Sequence, residues 1–273
     1  MNTLLVDHEA CKQDGLCVAE CPMQILELDD AKHPRFVPEG ADFCIQCGHC
    51  VAVCPHGALG LTAMPAYECP PLKKELNISA AQAEQFLRSR RSIRQYKDEA
   101  VGQETLAELL RLASYAPSGH NWQPLSWLVI SGRDKVHELA GYVAEWMRWM
   151  LKEQSETALA MHMDVVIQRW EEGKDRILRN APHVVIAHAP EVDRSALSAG
   201  ITALAYLELA APSLGLGTCW AGFFNAAAQF FPPLQEKLAL PQGHKAVAAA
   251  MVGYPNVKYY RLPLRKSPII AWR

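Results

Sequence analysis

A chain of 273 residues is long enough for two domains, each with its own buried core. Its formal net charge of -2 supplies no basic field, which excludes nucleic acid and anionic membrane surfaces as partners and leaves small molecules or other proteins. No basic segment followed by an apolar core opens the chain, and the most apolar later stretch, Ile201 to Leu216, contains Glu208 and Pro212, so a cytoplasmic protein without a membrane span is expected.

Seven of the nine cysteines fall between Cys11 and Cys54 in short, ordered spacings, a pattern of metal or thiol chemistry in a reducing compartment rather than of a disulfide scaffold. Residues 1–65 otherwise hold only brief apolar runs such as Gln24 to Leu28, and a region so small needs an inorganic core to fold. Cys44, Cys47, Cys50 and Cys54-Pro55 match C-x2-C-x2-C-x3-C-P throughout. Three thiolates spaced by two residues wrap one cubane, Gly48 lets the backbone approach its sulfides, and the last cysteine leaves toward a second cluster. A zinc ion takes four ligands and would leave three of the seven clustered cysteines unused. The earlier run, Cys11 to Cys21-Pro22, has the same frame except that Asp14 stands at the second ligand position.

These two runs resemble those of bacterial two-cluster ferredoxins. The resemblance implies one [4Fe-4S] centre on Cys44, Cys47, Cys50 and Cys21, and a second centre on Cys11, Cys17 and Cys54. The second is either a [4Fe-4S] cluster completed by the Asp14 carboxylate or solvent, or a [3Fe-4S] cluster. His8, His49 and His56 are read as neighbours of the ligands, and Cys69 and Cys219 as ordinary small residues.

Residues 66–78 read as a linker, since Pro65, Pro70 and Pro71 fall within seven positions and cannot sustain a helix. A second domain is expected over 79–273. Ser79 is placed to cap a helix running through Arg88, and Leu106, Leu109, Leu110 and Ala113 recur at the spacing of an amphipathic helix that stops before Pro117. Trp127 to Ile130 and His183 to Ala187 read as buried strands. A long helical stretch is expected from Arg133 to Gly173, its Trp146, Met147, Trp149, Met150, Met161 and Met163 packing at a core or dimer interface or forming a lid. Asp193 is placed to cap a buried helix through Leu209, and Lys245 to Val252 reads as the last strand.

Three segments of this second domain carry chemistry. Arg90-Arg91-Ser92-Ile93-Arg94 gathers three guanidinium groups and a hydroxyl, a set suited to phosphate. Ala116-Pro117-Ser118-Gly119-His120-Asn121-Trp122-Gln123-Pro124 is a loop dense in amides and hydroxyls, able to read the edge of a flat heterocycle. In Leu214 to Phe223 the glycines admit close approach of backbone to a planar ligand. Together with Val252-Gly253-Tyr254-Pro255 these segments, in this order, resemble the nitroreductase family of FMN enzymes.

The family implies an α+β fold, with helices around an antiparallel-dominated sheet, and an intertwined homodimer. It implies that Arg90, Ser92 and Arg261 hold the FMN phosphate with Arg91 nearby, Arg265 or Lys266 being alternatives to Arg261. Arg94 would face the N1 side of the ring, Pro117, Ser118, Asn121 and Gln123 would line it, and the backbone of Ala221 and Gly222 would lie beside N5. No G-x-G-x-x-G follows a predicted strand, so a dedicated nicotinamide domain is not expected. The electron donor is then a reduced ferredoxin-like protein or NAD(P)H bound directly at the flavin. Electrons relayed through the clusters would reduce a small-molecule oxidant, nitroaromatic or similarly electron-poor. The alternative is a non-catalytic electron-transfer or redox-sensing protein. His120 and Tyr142 are the candidate proton donors, and each is also at home in a structural role.

Overall fold

The computed structural model describes residues 3–273, whose contacts fall into two units: the residues up to Asn77 with His120–Trp122, and Ile78–Gly119 with Gln123–Arg273. The segment read as a linker is counted with the first unit and carries two short 3-10 turns, Ala66–Glu68 and Lys74–Leu76.

The first unit is built from β1 (Leu4–Val6), α1 (Leu16–Ala19), β2 (Leu26–Leu28), β3 (Pro34–Phe36), α2 (His49–Val53) and β4 (Leu59–Leu61). Two antiparallel pairs form, β1 with β4 and β2 with β3, with Leu4 opposite Leu61 and Leu26 opposite Phe36. Its apolar core is small: Ile25, Leu26, Val51, Ala58, Leu59 and Leu61 are its buried hydrophobic residues. So few side chains do not stabilise a domain by burial alone, in keeping with the need for an inorganic core.

The second unit opens with α3 (Ala80–Ser89), where Ser79 and Gln82 satisfy each other's backbone N–H in a capping box. In α4 (Gln103–Ala113) the apolar stripe buries Leu106, Leu109 and Ala113. Then follow β5 (Ser126–Ser131), α5 (Arg133–Glu153), α6 (Ser155–Ala160), α7 (Met163–Glu171), β6 (His183–Pro190), α8 (Ala196–Ala210), β7 (Gly217–Trp220), α9 (Gly222–Phe230), α10 (Pro232–Leu238) and β8 (His244–Gly253). The strands make one antiparallel sheet in the order β5-β6-β8-β7. Successive side chains of a strand point to opposite faces. Val184, Ile186, Ala249 and Met251 therefore pack with α5, α7, α9 and α10, whereas Val185, Ala187, Ala248 and Ala250 pack with α4 and α8. Covered on both faces, the central strands are continuous apolar runs rather than alternating ones.

Two expectations need correction. The stretch from Arg133 to Gly173 is three helices, broken at Gln154 (φ -137°) and at His162, whose φ of 55° is left-handed. Trp146, Met147 and Met163 are core residues there, while Trp149 and Met161 are exposed. Asp193 is not the cap of α8: that position is Ser195, and the Asp193 carboxylate accepts from the Ser195 N–H and hydroxyl, both at 2.7 Å, organising the preceding turn. The segment Leu214 to Phe223 holds β7 and the first residues of α9.

Ala196–Leu214 is long and apolar enough by composition to cross a membrane, and about a third of it is buried in this fold. Glu208 within it pairs with Arg90 and Trp220, as a core helix with a polar anchor would.

Candidate functional site

In the first unit the two cysteine runs adopt one backbone twice. Gln13 and Gln46 have φ of 58° and 50°, and Gly15 and Gly48 have φ of 72° and 73°. Gln24 and Gly57, three residues after Cys21 and Cys54, repeat the match at 53° and 60°. Each glycine caps a short helix, α1 or α2, carrying the cysteine at the third ligand position of its run, Cys17 or Cys50. Asp14 thus occupies the backbone position that Cys47 occupies in the other loop, and its carboxylate accepts from the Leu16 N–H at 3.1 Å.

The thiols sort into two cavities. One is lined by Cys21, Cys44, Cys47 and Cys50 among Leu4, Ile25, Leu26, Phe36 and Leu61. The other is lined by Cys11, Cys17 and Cys54 together with Asp14. Burial, and then the neighbouring Cys47, Cys44 and Cys21, push the Cys50 thiol up to about 11, as expected where four thiols meet. Burial likewise raises Cys17. Among the described residues no three thiols, imidazoles or carboxylates are gathered closely enough for a single ion. Thiols spread around the walls of apolar cavities fit clusters of several irons, not a zinc site. A larger open groove of about 860 Å³ in this unit has His8 and His33 on its wall and none of these thiols.

In the second unit the Arg90–Arg94 segment is fixed against β7. The Ile93 N–H donates to the Thr218 carbonyl at 2.8 Å, and Ile93 fills the space where a Cβ of Gly217 would sit. Arg90 makes an ion pair with Glu208 at 3.2 Å, and Glu208 also accepts from Trp220 Nε1 at 2.9 Å. Burial pushes the Glu208 carboxyl up, and Arg90 and Trp220 partly offset this. Arg90, Arg91, Lys258, Thr218 and Ser89 line a cavity of about 280 Å³ with Glu208 as its carboxylate. Three cations around one carboxylate leave positive charge over, so this donor set fits the phosphate of FMN. Ser92 lies beside the Cys219 thiol, which burial pushes up despite nearby Arg94 and Arg179. Arg94 is exposed, and its guanidinium reaches the Ser92 carbonyl at 3.5 Å.

The other expected residues are distributed unevenly. Ala221 is buried and precedes α9, donating its N–H to the Ala249 carbonyl, with Gly222 the first residue of the helix. Pro117 and Ser118 remain in the second unit, where the Ser118 hydroxyl accepts from the Gln123 N–H at 3.0 Å. Asn121 groups with the first unit, its side-chain amide donating to the carbonyls of Ile45 and Gln46 at 3.2 and 2.9 Å. His120, Asn121 and Gln123 all have left-handed φ, the kind of backbone strain that collects at functional sites. Arg261, Arg265 and Lys266 are exposed and do not line the Arg90 cavity; Lys258 and Tyr259 take that place. Glu208 and Lys258 are the functional side chains that sequence reasoning missed. A lone carboxylate in an otherwise apolar helix was the available signal, because a buried charge needs a partner.

Comparison with known proteins agrees with this division. Residues 3–55 match the model of a 4Fe-4S dicluster domain, and residues 87–254 match that of the nitroreductase family. A 4-nitrobenzoate reductase of Nocardioides sp. is 29% identical over 204 residues, covering 64% of this chain and 81% of that protein. An NADH dehydrogenase of Thermus thermophilus is 30% identical over 200 residues, covering 67% of this chain and 92% of the other. Among solved structures, a Bacteroides fragilis nitroreductase with bound FMN has the same fold at a TM-score of 0.57 and 20% identity, covering 70% of this chain and 99% of its own. The chain is an oxidoreductase of the nitroreductase family, an α+β protein whose flavin domain follows a fused ferredoxin-type 4Fe-4S domain.

Proposed function

We propose that this enzyme reduces nitroaromatic or other electron-poor small organic molecules at FMN, using electrons relayed through two iron–sulfur clusters. The observation that carries the proposal is the doubled loop of the first unit, with two separate thiol-lined cavities in a chain whose other unit is a nitroreductase domain. Cys21, Cys44, Cys47 and Cys50 hold a [4Fe-4S] cluster. Cys11, Cys17 and Cys54 hold the second, with Asp14 supplying an oxygen ligand or leaving a three-iron centre.

When bound, FMN supplies the chemistry of collecting electrons and passing them as a pair to an oxidant resting on its ring. Arg90, Ser92 and Arg261 bind its phosphate with Arg91 nearby; of these Arg90 and Arg91 line the cavity, together with Lys258. Glu208 and Trp220 hold Arg90 in place. Arg94 offsets negative charge on the N1 side, and Pro117, Ser118, Asn121 and Gln123, with the backbone of Ala221 and Gly222, position the ring. The names of the similar 4-nitrobenzoate reductase and NADH dehydrogenase support an aromatic nitro substrate and NADH as one donor, beside a ferredoxin-like protein. Exposed apolar residues on α8 and the C-terminal segment, among them Leu197, Ile201, Leu264 and Trp272, support a homodimer. Nine free cysteines support a reducing, cytoplasmic location.

The test is an anaerobic titration of the holoprotein with a reduced ferredoxin-type donor and, separately, with NADH, each in the presence of a nitroaromatic acid. Consumption of the nitro compound with cluster and flavin absorbance both cycling supports the proposal. Cycling without any organic substrate consumed would identify an electron carrier instead.

A further inference from the structure

We infer that Asn121 is a positioning residue of the iron–sulfur centre on Cys21, Cys44, Cys47 and Cys50, fixing the direction of its ligand loop and through it the reduction potential. The inference rests on the cluster assignment above and goes beyond it. The Asn121 side chain is half-buried between exposed neighbours, His120 and Trp122, and its amide donates to the carbonyls of Ile45 at 3.2 Å and Gln46 at 2.9 Å. Those two residues are the ones that separate the ligands Cys44 and Cys47. Two carbonyl acceptors call for the Nδ2 end of the amide, so both of its hydrogens are committed and Oδ1 is what remains for the flavin ring.

A trans peptide plane carries its C=O and the following N–H on opposite sides, and among the described residues no peptide bond is cis. Drawing the Ile45 and Gln46 carbonyls toward Asn121 therefore turns the N–H groups of Gln46 and Cys47 the other way. Hydrogen bonds from backbone groups to cluster sulfur are among the levers that set the potential of such a centre. Gln46 sits at a left-handed φ of 50°, a conformation that a residue other than glycine keeps when its surroundings hold it. Asn121 supplies that hold and is itself held: His120, Asn121 and Gln123 have φ of 49°, 54° and 47°, and the Ser118 hydroxyl accepts from the Gln123 N–H at the base of their loop. Further along the ligand loop Met64 covers Gly48, its Sδ 2.7 Å from where a Cβ would stand. The loop of the Asp14 centre is held differently. Gln13, at the matching left-handed position, donates from its own side chain to the Ala31 carbonyl at 3.1 Å, and the nearest atom to a Cβ on Gly15 is Leu28 Cδ1 at 3.7 Å. The asparagine thus acts on the all-cysteine centre alone.

The experiment is a dye-mediated redox titration, read by EPR, of the full-length protein loaded with clusters and FMN, comparing the parent with Asn121→Ala and Asn121→Asp. Iron release to a chelator and FMN affinity by fluorescence are followed in parallel. Asn121→Asp keeps the shape and an oxygen while removing both donated hydrogens, so it decides the matter if the Ala variant does not fold. Both variants should disfavour the reduced form of the all-cysteine centre about tenfold, which lowers its potential by about 59 mV for one electron. Iron of that centre should be lost about tenfold faster. The Asp14 centre should keep the parent potential. Variants with the parent's potentials and iron release, changed in FMN affinity alone, overturn the inference and leave Asn121 a flavin residue only. An equal shift of both centres overturns it too, since that would report a general loosening of the iron–sulfur unit. A parent protein without inorganic sulfide overturns the underlying cluster assignment as well.

Discussion

Asp14 stands on the backbone position of Cys47 in a loop otherwise copied from it, so one atom type separates the two centres. Oxygen is a harder ligand than thiolate and holds iron less tightly. Asp14→Cys should therefore convert the second centre to a four-iron cluster with slower iron loss under chelator, read by EPR and iron content. Cys47→Ala should abolish the other cluster while bound FMN remains; retention of all the iron in that variant would contradict the ligand assignment. A second residue-scale expectation concerns histidine. The Val101 N–H donates to His183 Nε2 at 2.8 Å, which puts the ring proton on Nδ1, facing the Ser131 hydroxyl at 3.0 Å. Burial holds His183 below its usual pKa, and burial with His244 does the same for His188. Both bind a proton more readily unfolded, so their contribution is complete above the unfolded value of about 6.5 and is lost as pH falls below it. The denaturation midpoint should drop from pH 6.5 to 5, with a shallower slope in His188→Gln; equal slopes would remove His188 from the account. The cysteine spacings were legible because each run is local, whereas the exchange of Cys21 and Cys54 between the runs came from the ferredoxin resemblance. Glu208 and Lys258 were not legible, because their meaning lies in partners far away in the chain.

At the scale of elements, β7 positions the phosphate-binding segment. Gly217 leaves the space that Ile93 fills, and the Ile93–Thr218 hydrogen bond fixes the register between them. Gly217→Val should cost about 1–3 kcal/mol through overpacking. It should also weaken FMN binding, since the displaced Ile93 carries Arg90 to Arg94 with it. Thermal melting with and without FMN checks both, and an unchanged FMN affinity would detach β7 from the site. Helices α3 and α4 and strands β5, β6 and β8 were legible because a cap, a 3.6-residue stripe or a continuous apolar run marks each. The breaks at Gln154 and His162 were not, since neither is a glycine or proline and a left-handed histidine leaves no mark in the sequence. Strand β7 escaped notice because four residues beginning with glycine carry no periodic signal.

At the scale of the whole molecule, residues after Pro255 form no regular element, yet Tyr260, Leu264, Ile269, Ile270 and Trp272 are exposed there. Such apolar surface requires cover, and a second copy of the chain supplies it in the proposed homodimer. Sedimentation should show a particle of about 60 kDa, twice 30.3 kDa, and removal of residues 264–273 should shift it toward the monomer in a concentration-dependent way. A monomeric parent would exclude the dimer. The two-unit division was legible from cysteine density and prolines; the α+β class was legible through family resemblance, from which the proposed assembly also comes. The central claim is that one chain carries two iron–sulfur clusters and one FMN. Its most direct test is quantification of iron, acid-labile sulfide and released flavin in protein purified without oxygen. About eight irons and eight sulfides per chain, or about seven irons if the Asp14 centre holds three, with one FMN, is the result expected. Colourless protein with neither sulfide nor flavin would contradict it.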